Sequence, residues 1–293
     1  MSDTVRRDPM RNQWRPPEEA YAYIEEGYDT LAPTYDEEIG GNPIGERMRE
    51  VFRKALESAF REGDFVVEIG CGTGIDALWL TRKGIQVVAT DISGEMLQRL
   101  REKAKANGLN GRVRTRKLPA REIGALAEEF GPAAFDGAYC HAGALNMEPE
   151  LPRLPVEVAR LLKPDAPFVC SVINRTSLFE LLFYPLVMRP RKAFRRLGNS
   201  IPIPISRRPP LNRYVVPSRF FTPRELVRLF QKEFVAERVQ GLRIFLPPSN
   251  LAEEYAALKP AFGFLEFLEN RLSGRRPFNS WGHHSILTFR RRP

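Results

Sequence analysis

The segment Glu68-Ile69-Gly70-Cys71-Gly72-Thr73-Gly74 follows the apolar run Val66-Val67 and puts glycine at every second position. Glycine has no Cβ, so such a loop can turn sharply and let a ligand approach bare backbone. A second apolar run, Val87-Val88-Ala89-Thr90, ends on Asp91, 21 residues after Gly70. A carboxylate there can accept hydrogen bonds from both hydroxyls of a ribose, so loop and acid define an adenosine-type pocket at the carboxyl ends of two strands. The dinucleotide fingerprint spaces its glycines GxGxxG and holds a pyrophosphate on a helix N-terminus. Here the third glycine comes one residue early. Glu68 also precedes the loop, where its charge would repel a pyrophosphate and favour an ammonium-bearing ligand. The residues therefore point to a nucleoside without phosphates.

The elements that must hold this loop lie between residues 63 and 173, where short Val- and Ile-rich runs alternate with amphipathic stretches, as in parallel strands joined by crossover helices. Strands are expected at 65–69, 86–90, 112–117, 135–140 and 168–173, with helical periodicity at Met96, Leu97, Leu100 and Ala104 between them. Residues 18–62 read as a helical cover broken at Gly40-Gly41-Asn42-Pro43, with the stripe Met48, Val51, Phe52, Ala55 and Leu56 packing on the sheet. Residues 1–17 read as a mobile tail. Residues 174–221 break the pattern and read as an insertion capping the acceptor. Residues 222–293 complete the sheet: Thr222-Pro223-Arg224-Glu225 has capping-box spacing, strands are expected at 234–239 and 284–289, and 246–276 reads as helical decoration. The sum is one domain over 18–293.

The run E-x-G-x-G-x-G with an acid closing the next strand resembles the class I S-adenosylmethionine-dependent methyltransferases, clearly over about residues 20–173. The resemblance implies an α/β, Rossmann-like, seven-stranded and mostly parallel sheet, with S-adenosyl-L-methionine as cofactor. It further implies that Gly70, Gly72 and Gly74 lie under the methionine part and ribose, that Asp91 binds the ribose hydroxyls, and that Ile92 and Met96 flank the adenine. Glu68, Cys71 and Cys140 join this cofactor-binding set. Family members commonly carry an Asp-Ala pair after the third strand that reads the adenine amino group. This chain has Leu118-Pro119-Ala120-Arg121-Glu122, so backbone at Leu118 and Ala120, or Glu122, must serve instead. Tyr28-Asp29-x-x-Ala32-x-x-Tyr35-Asp36 resembles the covering helix of small-molecule members. Seven-residue spacing puts Tyr28 and Tyr35 on one helical face, either as aromatic anchors or with a hydroxyl aimed at the sulfonium or acceptor.

The acceptor-facing segment after the fourth strand is Tyr139-Cys140-His141-Ala142-Gly143-Ala144-Leu145-Asn146. It lacks the Asn/Asp-Pro-Pro-aromatic loop of amino-methyltransferases and the Pro-Cys nucleophile of RNA cytosine enzymes. His141 emerges at the catalytic end of the sheet, either as a base near neutral pH or as a loop histidine bonded to backbone. His141 and Tyr35 are the catalytic candidates, with His283 and His284 as weaker ones. Asp136 starts its strand away from the cleft, so no metal is expected. The three cysteines show no ligand spacing and read as reduced thiols.

The chain has 293 residues, 43% of them hydrophobic, and a net charge of +9, which excludes disorder and directs attention to anionic partners. Its longest uncharged apolar run, Leu181–Met188, is eight residues and contains Pro185, too short to span a bilayer. With no secretory signal in view, the expected location is the cytoplasm. Between Arg189 and Arg208 stand seven Arg or Lys and no acid. This basic stretch behind an apolar one suggests a lid over a greasy acceptor, a contact with anionic membrane, or an RNA arm. Ile201-Pro202-Ile203-Pro204-Ile205 is expected to form one wall of the acceptor pocket. The expected activity is methyl transfer to a small, lipophilic O, N or C nucleophile, with an RNA methyltransferase and a catalytically inactive cofactor-binding partner protein as alternatives.

Overall fold

The computed structural model describes residues 16–40, 43–198, 200–206, 208–247 and 259–293. Most of the expected tail, the turn at Gly41-Asn42 and much of the 246–276 stretch fall outside these residues.

A seven-stranded sheet runs in the order β3-β2-β1-β4-β5-β9-β8. Its strands are β1 (Phe65–Ile69), β2 (Gln86–Asp91), β3 (Val113–Lys117), β4 (Gly137–Cys140), β5 (Pro167–Ile173), β8 (Phe234–Leu242) and β9 (His284–Arg291). The first five pair in parallel, while β9 is antiparallel to both β5 and β8. The continuous apolar runs follow from burial on both faces. Val67, Val88, Cys140 and Cys170 pack into one layer with α6 (Leu126–Phe130), α8 (Leu154–Leu161) and α11 (Pro223–Phe230). Their neighbours Val66, Val87, Tyr139 and Val169 pack into the other with α3 (Pro43–Ala59), α4 (Ile75–Arg82) and α5 (Gly94–Ala106). Phe135, expected in β4, instead makes an isolated bridge to Leu162. The capping box of α11 forms as its sequence implies, Thr222 and Glu225 bonding each other's backbone.

The cover is two helices where a single face was expected: α1 (Pro17–Leu31) and α2 (Tyr35–Ile39), separated at Ala32-Pro33-Thr34. Pro33 has no N–H to continue α1. Tyr28 and Tyr35 therefore come from different helices. The paired acids fasten each helix down. Asp29 accepts from the Ser93 hydroxyl (2.5 Å) and the Glu95 N–H (3.1 Å) at the start of α5. Asp36 accepts from Thr73 in the glycine loop (2.5 Å) and from Lys103 (2.7 Å).

The insertion holds α9 (Leu178–Leu186), α10 (Pro190–Ala193) and an antiparallel ribbon of β6 (Ile201–Pro204) with β7 (Val215–Ser218). The proline run is therefore a strand, and it does not wall the cleft. The ribbon's end braces α1 from outside, with Tyr214 donating to Glu26 (2.7 Å) and Tyr23 to the Arg213 carbonyl (3.2 Å). The last described helix, α12 (Lys259–Leu272), precedes β9.

Candidate active site

A cleft of about 750 Å³, open to solvent, lies at the carboxyl ends of β1, β2 and β4 beneath α1 and α2. Its lining includes the Asp91 carboxylate, which accepts from Gly72 N–H (2.7 Å) and Ser93 N–H (2.9 Å). Burial pushes the Asp91 carboxyl above its ordinary value, against the pull of these backbone donors.

The three glycines do different work, although all have positive φ. A Cβ on Gly70 would come within 2.8 Å of the Ala144 Cβ, so this glycine lets β1 and the short helix α7 (Ala144–Met147) close on each other. A Cβ on Gly72 would project toward the Tyr35 ring at 3.7 Å, where the loop faces the cleft. A Cβ on Gly74 would strike Leu100 Cδ1 at 2.1 Å, so Gly74 is a packing residue that seats α5, and it does not line the cleft.

On one side of Asp91 the cleft is walled by Ile92, Leu118, Pro119 and Ala120, and closed by Tyr21, Ile24 and Glu148. Tyr21 donates its hydroxyl to Glu148, and Arg121 lies 4.3 Å over the Tyr21 ring while bonding Glu150 at 2.6 Å. Glu122 is exposed, pairs with Arg121 (3.1 Å) and does not line the cleft. Leu118, Pro119 and Ala120 are thus the residues of this segment that line the cleft.

On the other side stand Tyr28, Tyr35 and His141. Desolvation pushes the Tyr35 phenol up to about 12, so it stays protonated at neutral pH. The Tyr28 hydroxyl, raised by the same cause, donates to Met147 Sδ (3.4 Å). His141 is bonded through Nδ1 to Asp76 Oδ2 (2.8 Å) and stacks on Phe52 with centroids 4.0 Å apart. Asp76 in turn accepts from Arg49 (2.6 Å) and Arg53 (3.0 Å), one helical turn apart on α3. Burial alone would raise the Asp76 carboxyl, but His141 and the two arginines outweigh it and hold it well below the usual range. An ionised Asp76 can only accept, so Nδ1–H donates to it, and this bond selects the tautomer whose free lone pair is on Nε2. After His141 the chain turns through Ala142 at φ 57°, a conformation L residues rarely adopt, and Ala142 also lines the cleft.

Several sequence candidates lie away from the cleft. Met96 is wholly buried against Leu31 and Ala32, so it supports the cover and does not flank a base in the cleft. Cys140 is wholly buried beside Cys170, its register partner, and burial holds its thiol well above the ordinary value. Cys71 is buried among apolar side chains. Glu68 sits under the loop with Oε2 unpaired, and burial together with the charge of Asp76 raises its carboxyl well above normal. His283 and His284 bond each other (2.8 Å) outside the cleft lining. Conversely, Asp76, Arg49 and Arg53 went unnoticed in the sequence. The signal was a lone acid in Ile75-Asp76-Ala77-Leu78-Trp79-Leu80 and two arginines at i, i+4.

An adenosine derivative suits this cleft, which is lined by a carboxylate at Asp91, glycines at 70 and 72, and apolar Ile92 and Leu118. Fold and site together define a Rossmann-like nucleoside-binding protein. Residues 66–165 match the family model for a methyltransferase domain. The chain is 28% identical over 158 residues to the demethylmenaquinone methyltransferase of Symbiobacterium thermophilum, covering 53% of this chain and 60% of that protein. It superposes on the [4+2]-cyclase SpnF with TM-score 0.60 at 19% identity, covering 92% of this chain and 96% of the other. It also superposes on the 1,6-didemethyltoxoflavin-N1-methyltransferase of Burkholderia thailandensis, solved with S-adenosylhomocysteine, with TM-score 0.58 at 17% identity over 96% and 92% of the two chains. The chain spans little more than half the length of the first curated relatives it matches. What the chain shares with known proteins is thus a match to methyltransferase domains over residues 66–165 and the fold of its solved neighbours.

Proposed function

We propose that the chain transfers a methyl group from S-adenosylmethionine to a small, lipophilic acceptor bearing an ionisable hydrogen. The observation that carries this reading is the Asp91 carboxylate, fixed by Gly72 and Ser93 between a glycine loop on one side and the His141–Asp76 pair on the other. The cofactor, once bound, supplies an already activated methyl group on a sulfonium. Asp91 would accept the ribose hydroxyls, Ile92 and Leu118 would sandwich the base, and Tyr28 and Tyr35 would shield the methionine end from water. His141 Nε2 would take the acceptor's proton while Asp76 stabilises the imidazolium that forms. Alignment and exclusion of water would supply most of the rate. The likeness to a demethylmenaquinone methyltransferase supports a phenolic or enolic acceptor.

The test is transfer of labelled methyl to a panel of lipophilic phenols and hydroquinones, with RNA as a comparison substrate. Turnover on a phenolic member, cut by about 10²-fold or more in His141→Gln with cofactor affinity unchanged, is the expected result. Labelling of RNA alone would overturn the small-acceptor reading, and cofactor binding without turnover on any substrate would favour the inactive partner protein.

A further inference from the structure

Among the described residues of 174–221, none lines the cleft. While Tyr184, Val216 and Phe220 are buried, other apolar side chains of the insertion face outward. Six of the eleven large apolar side chains exposed among the described residues, Leu182, Leu186, Val187, Met188, Phe194 and Leu197, fall in this one stretch. Leu182 and Leu186 share a face of α9 at i, i+4, and Leu186 and Met188 are 82% and 87% exposed. Exposure on this scale in consecutive elements is unusual for a surface that stays in water.

The charge around these side chains has one sign. Arg189, Arg191 and Lys192 are exposed, and none makes an ion pair among the described residues. The acid of the neighbourhood, Glu180, is 1% exposed and is consumed by Arg196 (2.8 Å) and Arg195 (3.2 Å). Those two bonds pin the segment after α10 back onto α9, so the patch is held as a shaped surface. Apolar side chains ringed by unpaired cations suit the boundary between acyl chains and anionic headgroups, where the former bury a few ångströms deep and the latter meet phosphates. A nucleic acid would use the cations and leave the leucines and methionine wet.

We propose that α9, α10 and the turn between them form a membrane-contacting surface that docks on anionic lipid. Because α9 follows the carboxyl end of β5, the same edge of the sheet that bears the cleft, a docked molecule would present that edge to the bilayer. This docking depends on the insertion alone. It adds to the methyl-transfer reading that a lipophilic acceptor would be met where it dissolves.

The experiment is co-sedimentation of the full chain with vesicles of phosphatidylcholine alone or mixed with phosphatidylglycerol, without cofactor or acceptor. The wild type is expected to bind the mixed vesicles and not the neutral ones. Two double variants at exposed positions, Arg191→Gln with Lys192→Gln and Leu186→Gln with Met188→Gln, should each weaken that binding by about tenfold or more. Circular dichroism and S-adenosylhomocysteine titration of the same variants should be unchanged, which separates a failed surface from a failed fold or a failed cofactor site. Three results would overturn the proposal: no binding of the wild type to mixed vesicles; loss in the charge variant but not in the apolar one, the mark of a plain polyanion site; or a concentration-dependent dimer that only the apolar variant dissociates.

Discussion

Asp76 shows how a buried charge is made tolerable and useful at once. It is 3% exposed, and three cationic or donor groups converge on its two oxygens. Removing the charge while keeping the shape, Asp76→Asn, leaves Arg49 and Arg53 half-paired, and is expected to cost about 3 kcal/mol in urea denaturation at pH 7. The folded-state value of Asp76 lies below the unfolded one, so this stabilisation is complete above the ordinary carboxylate range and is lost as pH falls through the lower, folded-state value. The difference between wild type and variant should therefore hold from pH 7 to about pH 4 and shrink only in stronger acid. A difference that vanished between pH 7 and pH 5 would contradict the pairing. Of the site, Gly70, Gly72, Asp91 and His141 were visible in the sequence because their spacing is local to one strand end each. The Asp76–Arg49–Arg53 clamp was not, because it joins residues 23 and 27 positions apart on two helices whose contact only the packed fold creates.

At the scale of elements, the loop from β1 to α4 separates two tasks that the glycine pattern alone merges. Gly74 has its α-hydrogen against Leu100, whereas Gly72 faces the cleft. Both residues have positive φ, so alanine strains either backbone by about 1–2 kcal/mol. Gly74→Ala adds a steric conflict with Leu100, so its total loss of stability should be about 2–4 kcal/mol. Gly72→Ala should unfold at a higher urea concentration than Gly74→Ala yet bind S-adenosylhomocysteine less well than the wild type. Equal stability of the two variants would refute this division. The sequence also implied one continuous cover carrying Tyr28 and Tyr35. Pro33 divides it, and the aspartates beside each tyrosine restore the result by fastening two helices separately onto α5 and the loop.

For the whole molecule, alternation of apolar residues toward two helical layers made the sheet readable from sequence, down to β8 and β9 at its far edge. Strand ends shifted by one to three residues, since pairing partners and not the apolar run set where a ladder stops. For the insertion the sequence leaves a lid, a membrane contact and an RNA arm open, for a physical reason. Amphipathic and proline-rich patterns report that a segment has an apolar face, not which surface that face meets. In the fold it meets solvent on α9 and braces α1 through the ribbon. The central claim, that the cleft beneath α1 holds an S-adenosyl compound on Asp91, is tested most directly by calorimetry of the purified chain with S-adenosylhomocysteine, with NAD as control. The account predicts micromolar binding of the first and none of the second, weakened by about 1–3 kcal/mol in Asp91→Ala. Binding of NAD in its place, or an Asp91→Ala protein that holds S-adenosylhomocysteine as tightly as the wild type, would contradict it.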